Sequence, residues 1–304
     1  MNRLIECVPN FSEGRNTAVI DQIVSAVESV AGVVVLDRQM DADHNRSVVT
    51  FAGPVEAVPE AAIRGVEKAV DLIDLTHHSG THPRIGAADV VPFIPLDGVS
   101  MEECVMAARL AGEEVWRRKR VPVYYYGVAA RSPERRMLEN IRRGQFEGLR
   151  EEAPRNPARQ PDVGQPELHP TAGAVAIGAR NFLIAFNINL ATPDVTIAKR
   201  IARKIRSSSG GLPCVKAMGV DLKSKNLAQV SMNLTDFEQT PVHVAFEAVK
   251  HEAQKEGVEI AGSEIIGLIP KRVFEASAAY FAGAGNFVPG IILENRLASR
   301  LAGL

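Results

Sequence analysis

The chain has 304 residues, 46% hydrophobic and 23% charged, which is enough apolar material for a buried core and argues against global disorder. A formal net charge of -1 gives no field to draw in nucleic acid or an acidic membrane surface. No run approaches the roughly 18 apolar residues of a membrane span, and MNRLIECVPN at the N-terminus lacks a signal-peptide core, so a cytoplasmic protein is expected.

The length predicts about two domains of ~100–200 residues, with cores of Val, Ile, Leu and Ala because aromatics are only 5%. Cys7, Cys104 and Cys214 are odd in number and far apart, which fits reduced, buried, inert thiols. The runs RRKR (117–120) and RSPERR (131–136) read as solvated charged faces.

In chain order, RLIECVP (3–9) is a short strand candidate. Val19, Ile20, Ile23, Val24, Val27 and Val30 then recur at helical spacing across 16–31. VVVLD (33–37) and RSVVTFA (46–52) are β-branched strands. Pro54 is expected to open a helix lined by Val58, Ala62, Val66, Val70 and Ile73. DVVPFIP (89–95) returns as a strand, followed by a helix at 101–119 and the strand PVYYYG (122–127).

The second half repeats this order. NFLIAFNINL (181–190) is a strand, and Thr192-Pro193 is expected to start a helix striped by Ile197, Ile201 and Ile205. PCVKAMGVDL (213–222) and LAQVSMNL (227–234) are strands, Thr240-Pro241 starts another helix, and VEIAGSEIIGLIP (258–270) closes with a strand. The fold class is therefore α+β, with two ferredoxin-like βαββαβ-type subdomains, 1–180 and 181–304. The seam at 151–174, with five prolines between 154 and 170, is either a linker or a ligand-contacting loop.

The most chemical stretch is HHSGTHPRIG (77–86). Gly80, Pro83 and Gly86 rule against a regular helix, so the four-residue spacing of His78 and His82 carries no ligand geometry. Nothing of the form HExxH or CxxC accompanies them, and no carboxylate lies between 75 and 88, so zinc is poorly supported. A loop histidine at the entrance to a sheet strand suits proton transfer near neutral pH.

Several blocks carry a resemblance: ECVPNFSEGRN (6–16), DHNRSVVTFAG (43–53), GTHPRIGAADVVPFIPL (80–96), PVYYYGVAAR (122–131), GARNFLIAFNINL (178–190) and KNLAQVSMNLTDFE (225–238). In order, they resemble the glutamate formiminotransferases, folate-dependent enzymes fused in animals to a cyclodeaminase that a chain ending at Leu304 is too short to carry. The resemblance implies two α/β subdomains whose sheets face each other across a folate tunnel, and a homodimer. It makes His82 of His-Pro-Arg the catalytic acid–base. It also assigns folate binding to 163–172, that is Val163, Gly164, Gln165, Pro166, Glu167, Leu168, His169, Pro170, Thr171 and Ala172. Animal members have an aromatic residue and a proline where this chain has Val163 and Gln165, and an Asp where it has Gln39. Electrostatic support for His82 is therefore expected from Asp41 or Asp43.

The implied reaction moves the formimino group of N-formimino-L-glutamate to N5 of tetrahydrofolate, a co-substrate, with no metal. Both substrates carry carboxylates, so guanidinium partners are expected, and Arg46 and Arg84 are the candidates. The bland reading of Arg84 is a local pair with Asp89. Asn10, Asn45, Asn187 and Asn189 could hydrogen-bond a pterin or an amidine. Three alternatives stay open: formyl transfer with 5-formyltetrahydrofolate, a metal-dependent hydrolase on His77, His78 and His82, and a catalytically silent folate-binding protein.

Overall fold

The structure is a computed structural model and describes residues 3–281 and 287–301; the outer limits of the two expected domains, 1 and 304, lie outside the described residues. The chain divides into two compact units, one ending at Arg180 and the other beginning at Asn181.

In the first unit, β1 (Leu4–Cys7) and β2 (Asn10–Phe11) are one strand path interrupted at Val8-Pro9. They are followed by α1 (Thr17–Glu28), β3 (Val34–Asp41), β4 (Arg46–Pro54), α2 (Val58–Leu72), β5 (Ala88–Asp97), α3 (Met101–Lys119) and β6 (Val123–Gly127). Next come α4 (Leu138–Arg142), α5 (Gln145–Glu152) and β7 (Val175–Ala179). The β1/β2 path lies between β4 and β5, and β3 pairs on the outside of β4. This is the ferredoxin-like order, all antiparallel. It is extended beyond β5 by β7 and then β6, both in parallel register. Strand β5 is buried on both faces from Ala88 to Ile94, as expected of an interior strand between covered faces.

The second unit is the simpler repeat: β8 (Ile184–Leu190), α6 (Val195–Ile205), β9 (Val215–Leu222), β10 (Leu227–Leu234), α7 (Val242–Lys255) and β11 (Ile260–Ile266). Its sheet order is β11-β8-β10-β9, antiparallel throughout. Then α8 (Lys271–Phe281) and α9 (Leu293–Leu301) follow. Each unit has its own apolar core, one around Phe11, Phe51 and Phe93, the other around Phe186, Ile188 and Val230.

Several boundaries differ from expectation for local reasons. Pro54 ends β4 and does not open α2, which starts at Val58 with Pro59 in its first turn. Asp194 caps α6 by accepting from Thr196 N at 2.8 Å; Thr192 lies two residues too early. Thr240 spends its hydroxyl on the Pro213 carbonyl at 2.6 Å and does not cap α7. The last strand ends at Ile266, and Gly267 at φ +82 turns the chain away. Strand β7 and the helices α4 and α5 were not anticipated. Five residues such as VAIGA carry too little alternation to stand out beside a proline-rich seam.

Cys7 and Cys104 are buried as expected, and burial raises the Cys104 thiol to about 12; Cys214 differs in being partly exposed. The charged runs are held by internal partners. Arg118 bonds Glu60 and Glu114, Lys119 reaches Asp71, and Arg135 pairs with Asp162 at 2.7 Å.

Candidate functional site

The loops flanking β4 and β5 assemble the chemistry. Asn45, in the left-handed region at φ +47, ties three segments together. Its Oδ1 accepts from Gly14 N at 2.9 Å, its Nδ2 donates to the Ser79 carbonyl at 2.9 Å, and its own carbonyl accepts from His78 Nε2 at 2.9 Å. Gly80 packs so closely on this turn that a Cβ there would lie 2.3 Å from the His44 carbonyl oxygen, so only glycine fits. The knot brings the start of β4 against the histidine loop.

Arg46 and His82 meet there, with Arg46 Nη1 2.7 Å from His82 Nε2. A guanidinium only donates, so Nε2 is the acceptor and His82 is neutral with its proton on Nδ1. Burial is the largest influence on His82; the Arg46 and Arg142 guanidiniums and His44 act in the same direction, and together they hold its pKa well below 6.5. A hydrogen bond with the Pro83 carbonyl works weakly against them. Arg46 itself is pulled down to about 10 by burial and then by Arg142, with Asp89 and Asp41 offsetting part of the effect. Arg142, from α4, is paired with buried Asp89, whose other oxygen accepts from Ile85 N at 2.7 Å. The His44 ring stands 6.0 Å from that of His82.

The other candidates fall as follows. Asp41 acts on Arg46 and accepts from His44 N at 2.8 Å; it reaches His82 only through its neighbours. Asp43 supports the loop through its carbonyl, which accepts from Thr81 N at 3.2 Å. Arg84 turns away from His82: it is buried, forks onto Glu147 at 2.8 and 2.7 Å, and donates from Nε to His78 Nδ1 at 3.1 Å. The carboxylate it holds is thus Glu147, neither a free position for a substrate carboxylate nor the local pair with Asp89. Both ring nitrogens of His78 are engaged by protein, while His77 is exposed and 4.0 Å from Asp74. The three histidines of the loop therefore have three different surroundings. Among the described residues no group of three or more His, Cys, Asp or Glu is arranged to hold a metal. Asn10 donates to the Val8 carbonyl at 3.1 Å. Asn187 and Asn189 belong to the second unit, bonded to Glu264 and Gln229.

Segment 163–172 is anchored at both ends. Val163 bridges Val123, and His169 and Gly173 exchange backbone bonds at 2.9 and 3.0 Å. With φ +101, Gly164 passes over Trp116, where a Cβ would come within 2.7 Å of the indole. Between segment and helix is a cavity of about 350 Å³ lined by Trp116, Arg120, Gln165, Glu167, His169 and Pro170. A larger cleft, about 690 Å³, is lined by Ser12, Arg15, Asn45, His77 and His78, but by neither Arg46 nor His82. His44, Arg142 and Glu147 were missed by sequence reasoning. His44 lies in a family-like block, DHNR, and was open to notice; the other two come from helices that the sequence did not disclose.

Comparison with known proteins agrees across both units. The family described as "Formiminotransferase domain, N-terminal subdomain" matches residues 4–180, and "Formiminotransferase domain" matches 185–298. The glutamate formimidoyltransferase of Streptococcus pyogenes serotype M1 is 44% identical over 298 residues, covering 98% of this chain and 99% of that protein. The glutamate formimidoyltransferase of Thermoplasma acidophilum is 45% identical over 296 residues, 97% of each. The formimidoyltransferase-cyclodeaminase of Mus musculus is 45% identical over 287 residues, which cover 92% of this chain and 53% of the longer protein. The chain belongs to the formiminotransferase family and is a transferase enzyme.

Proposed function

We propose that the enzyme transfers the formimino group of N-formimino-L-glutamate to N5 of tetrahydrofolate and releases L-glutamate, a step of histidine breakdown. N5 attacks the amidine carbon, forming a C–N bond, and collapse of the tetrahedral intermediate breaks the bond to the glutamate nitrogen. One proton leaves N5 and one is gained by the departing amine. A single imidazole can carry it, a role typically worth ~10²–10⁴ in rate.

The observation that carries this reading is the Arg46–His82 contact at 2.7 Å. Burial first, and the cationic neighbours after it, keep the imidazole neutral and so competent as a base at neutral pH. In this geometry Arg46 engages the Nε2 lone pair that must take the proton. A substrate carboxylate competes for the same guanidinium, so its capture by Arg46 frees Nε2 at the moment the substrate arrives. Binding and activation of the base then become one event. Folate contacts fall to 163–172, with the Trp116 face beneath it. A homodimer and a cytoplasmic location complete the proposal.

The test is consumption of formiminoglutamate with and without tetrahydrofolate. Folate-dependent loss of formiminoglutamate, abolished in His82→Ala and retained in His77→Ala, is expected. Consumption independent of tetrahydrofolate would reject the transfer reaction.

A further inference from the structure

The transfer chemistry uses neither ring nitrogen of His78, yet both are bound, and in opposite senses. Nε2 lies 2.9 Å from the Asn45 carbonyl, which only accepts, so Nε2 carries a proton. Nδ1 lies 3.1 Å from Arg84 Nε, which only donates, so Nδ1 carries none. Together the two partners admit one state, the neutral ring with its hydrogen on Nε2. A second proton would set a donor on Nδ1 against the Arg84 N–H, and a charge beside a guanidinium. Arg84 is 7% exposed and gripped by Glu147 and Gln145 of α5, so it has no room to swing aside. The ring must move instead.

What the ring holds is the approach of His82 to Arg46. Residues 78–81 are stitched to the turn before β4 by a short series of bonds. His78 reaches the Asn45 carbonyl, Asn45 Nδ2 donates to the Ser79 carbonyl at 2.9 Å, and Thr81 N and Oγ1 both donate to the Asp43 carbonyl at 3.2 Å. His82 is the next residue along one strand of this seam, and Arg46 follows Asn45 along the other. Of these stitches only His78 titrates near neutral pH. Its ring lines the cleft of about 690 Å³, which gives solvent protons a route to it. The charged groups around it are Arg84 from its own loop, with Glu147 behind, Glu13 and Arg15 from the turn before α1, and Asp74 and His77 from the turn after α2. Burial is the largest influence on the ring and favours the neutral form. The Asn45 bond opposes it, Arg84 acts with it, and Glu13 and Arg15 act in opposite directions, leaving the pKa below 6.5.

We propose that His78 is a positioning residue for the reaction, a latch that keeps the loop carrying His82 on the start of β4 while its ring is neutral and lets it go when the ring takes a second proton. The assignment rests on His82 being the proton carrier, as proposed above. Acid then silences the enzyme twice, once by protonating the base and once by releasing the loop that presents it.

The experiment has a kinetic arm and an exchange arm, both on the full chain. His78→Gln offers one donor and one acceptor, as the neutral ring does, and takes no proton; His78→Leu offers neither. At neutral pH His78→Leu is expected to lower kcat about tenfold or more, and His78→Gln to restore most of that loss. The acid limb of kcat/KM should approach a slope of about two in the wild type, one proton on His82 and one on His78. In His78→Gln it should move to lower pH with a slope of about one. A slope of about two that persists in His78→Gln, or a His78→Leu variant as active as the wild type, overturns the proposal. Should His78→Leu melt below the assay temperature, His78→Gln carries both arms. Backbone hydrogen exchange, corrected for its intrinsic pH dependence, needs no turnover. Gly14 N, which donates to Asn45 Oδ1 at 2.9 Å, and Thr81 N report the closed seam. Between neutral pH and about pH 5 both should lose protection about tenfold in the wild type and keep it in His78→Gln. That result upholds the latch even if His82→Ala stays active and the proton carrier proves to be another group. Unchanged protection in the wild type, or an equal loss in His78→Gln, overturns it whatever the turnover.

Discussion

At the scale of single residues, His82 and His77 illustrate how far identity is from role. They are five positions apart, yet one lies against a guanidinium in a buried cationic setting and the other is exposed beside Asp74. His82→Ala is expected to lower kcat/KM by ~10²–10⁴ with little change in melting temperature, while His77→Ala stays near wild type. Comparable losses at both positions would remove His82 from the centre of the chemistry. The pH profile has a definite sign. His82 must be neutral to accept a proton, and its pKa lies below 6.5, so the acid limb of kcat/KM should fall below that value. Arg46→Met removes one of the groups that depress it, so the limb should move upward, and titration of the His82 ring by NMR should move with it. An unmoved ring titration would mean that Arg46 does not set the proton affinity of the base. The His-Pro-Arg block made His82 legible in the sequence. Its cationic surroundings were not, because Arg142 lies 60 positions away on a helix whose five residues give no periodic signal.

At the scale of elements, the fork between Arg84 and Glu147 joins the histidine loop to α5. Arg84 also fixes His78, and His78 holds the Asn45 carbonyl next to Arg46, so the fork supports the loop that presents His82. Arg84→Lys keeps the charge and loses the fork. Stability should fall by about 1–2 kcal/mol, a bidentate contribution discounted for the exposure of Glu147. A thermal melt checks this, and an unchanged melting temperature would show the fork to be idle. The pH dependence follows from Glu147, which Arg84 holds down to about 2. A carboxylate depressed in the folded state contributes above its unfolded value of about 4.3 and loses that contribution as pH falls towards the folded one. Glu147→Gln should therefore melt lower than wild type at pH 7, with the gap closing towards pH 2. The segment 163–172 makes a complementary case. Its composition leaves a linker and a ligand loop equally open, and what decides its form is the local pairing of His169 with Gly173 together with long-range backbone bonds to Val123, Leu75 and Ala87. Hydrogen exchange should show His169 and Gly173 protected from the outset, with a folate analogue adding protection between 164 and 168. Added protection elsewhere alone would return the segment to a connecting role.

At the scale of the whole molecule, the duplicated βαββαβ order was legible because each half carries its own alternation and helical stripes. LAQVSMNL matches β10 residue for residue, and 101–119 matches α3. In the extension of the first sheet, PVYYYG was legible as a strand, but β7 and the parallel order were not, because parallel pairing leaves no local trace: its partners are distant in sequence. Two separate cores imply damage that stays local. Phe186→Ala, at a fully buried position, should cost about 3–5 kcal/mol. Native-state hydrogen exchange should accelerate first in β8 and β10 and only later in β4 and β5. Simultaneous acceleration in both sheets would mean the two cores unfold as one.

The position of β7 has a consequence for how the chain is made. Strand β6 is synthesised well before β7, yet in the finished sheet β7 lies between it and β5. Until residue 179 has left the ribosome, β6 has no neighbour to join, and the apolar edge of β5 at Val90, Val91 and Phe93 stays unpaired. A released fragment ending at Ala172 should therefore be sticky and bound by chaperones, and one ending at Arg180 should not. The proline-rich segment is drawn into place by the same closing strand, so the loop that would receive folate acquires its shape only when the last gap in the sheet is filled.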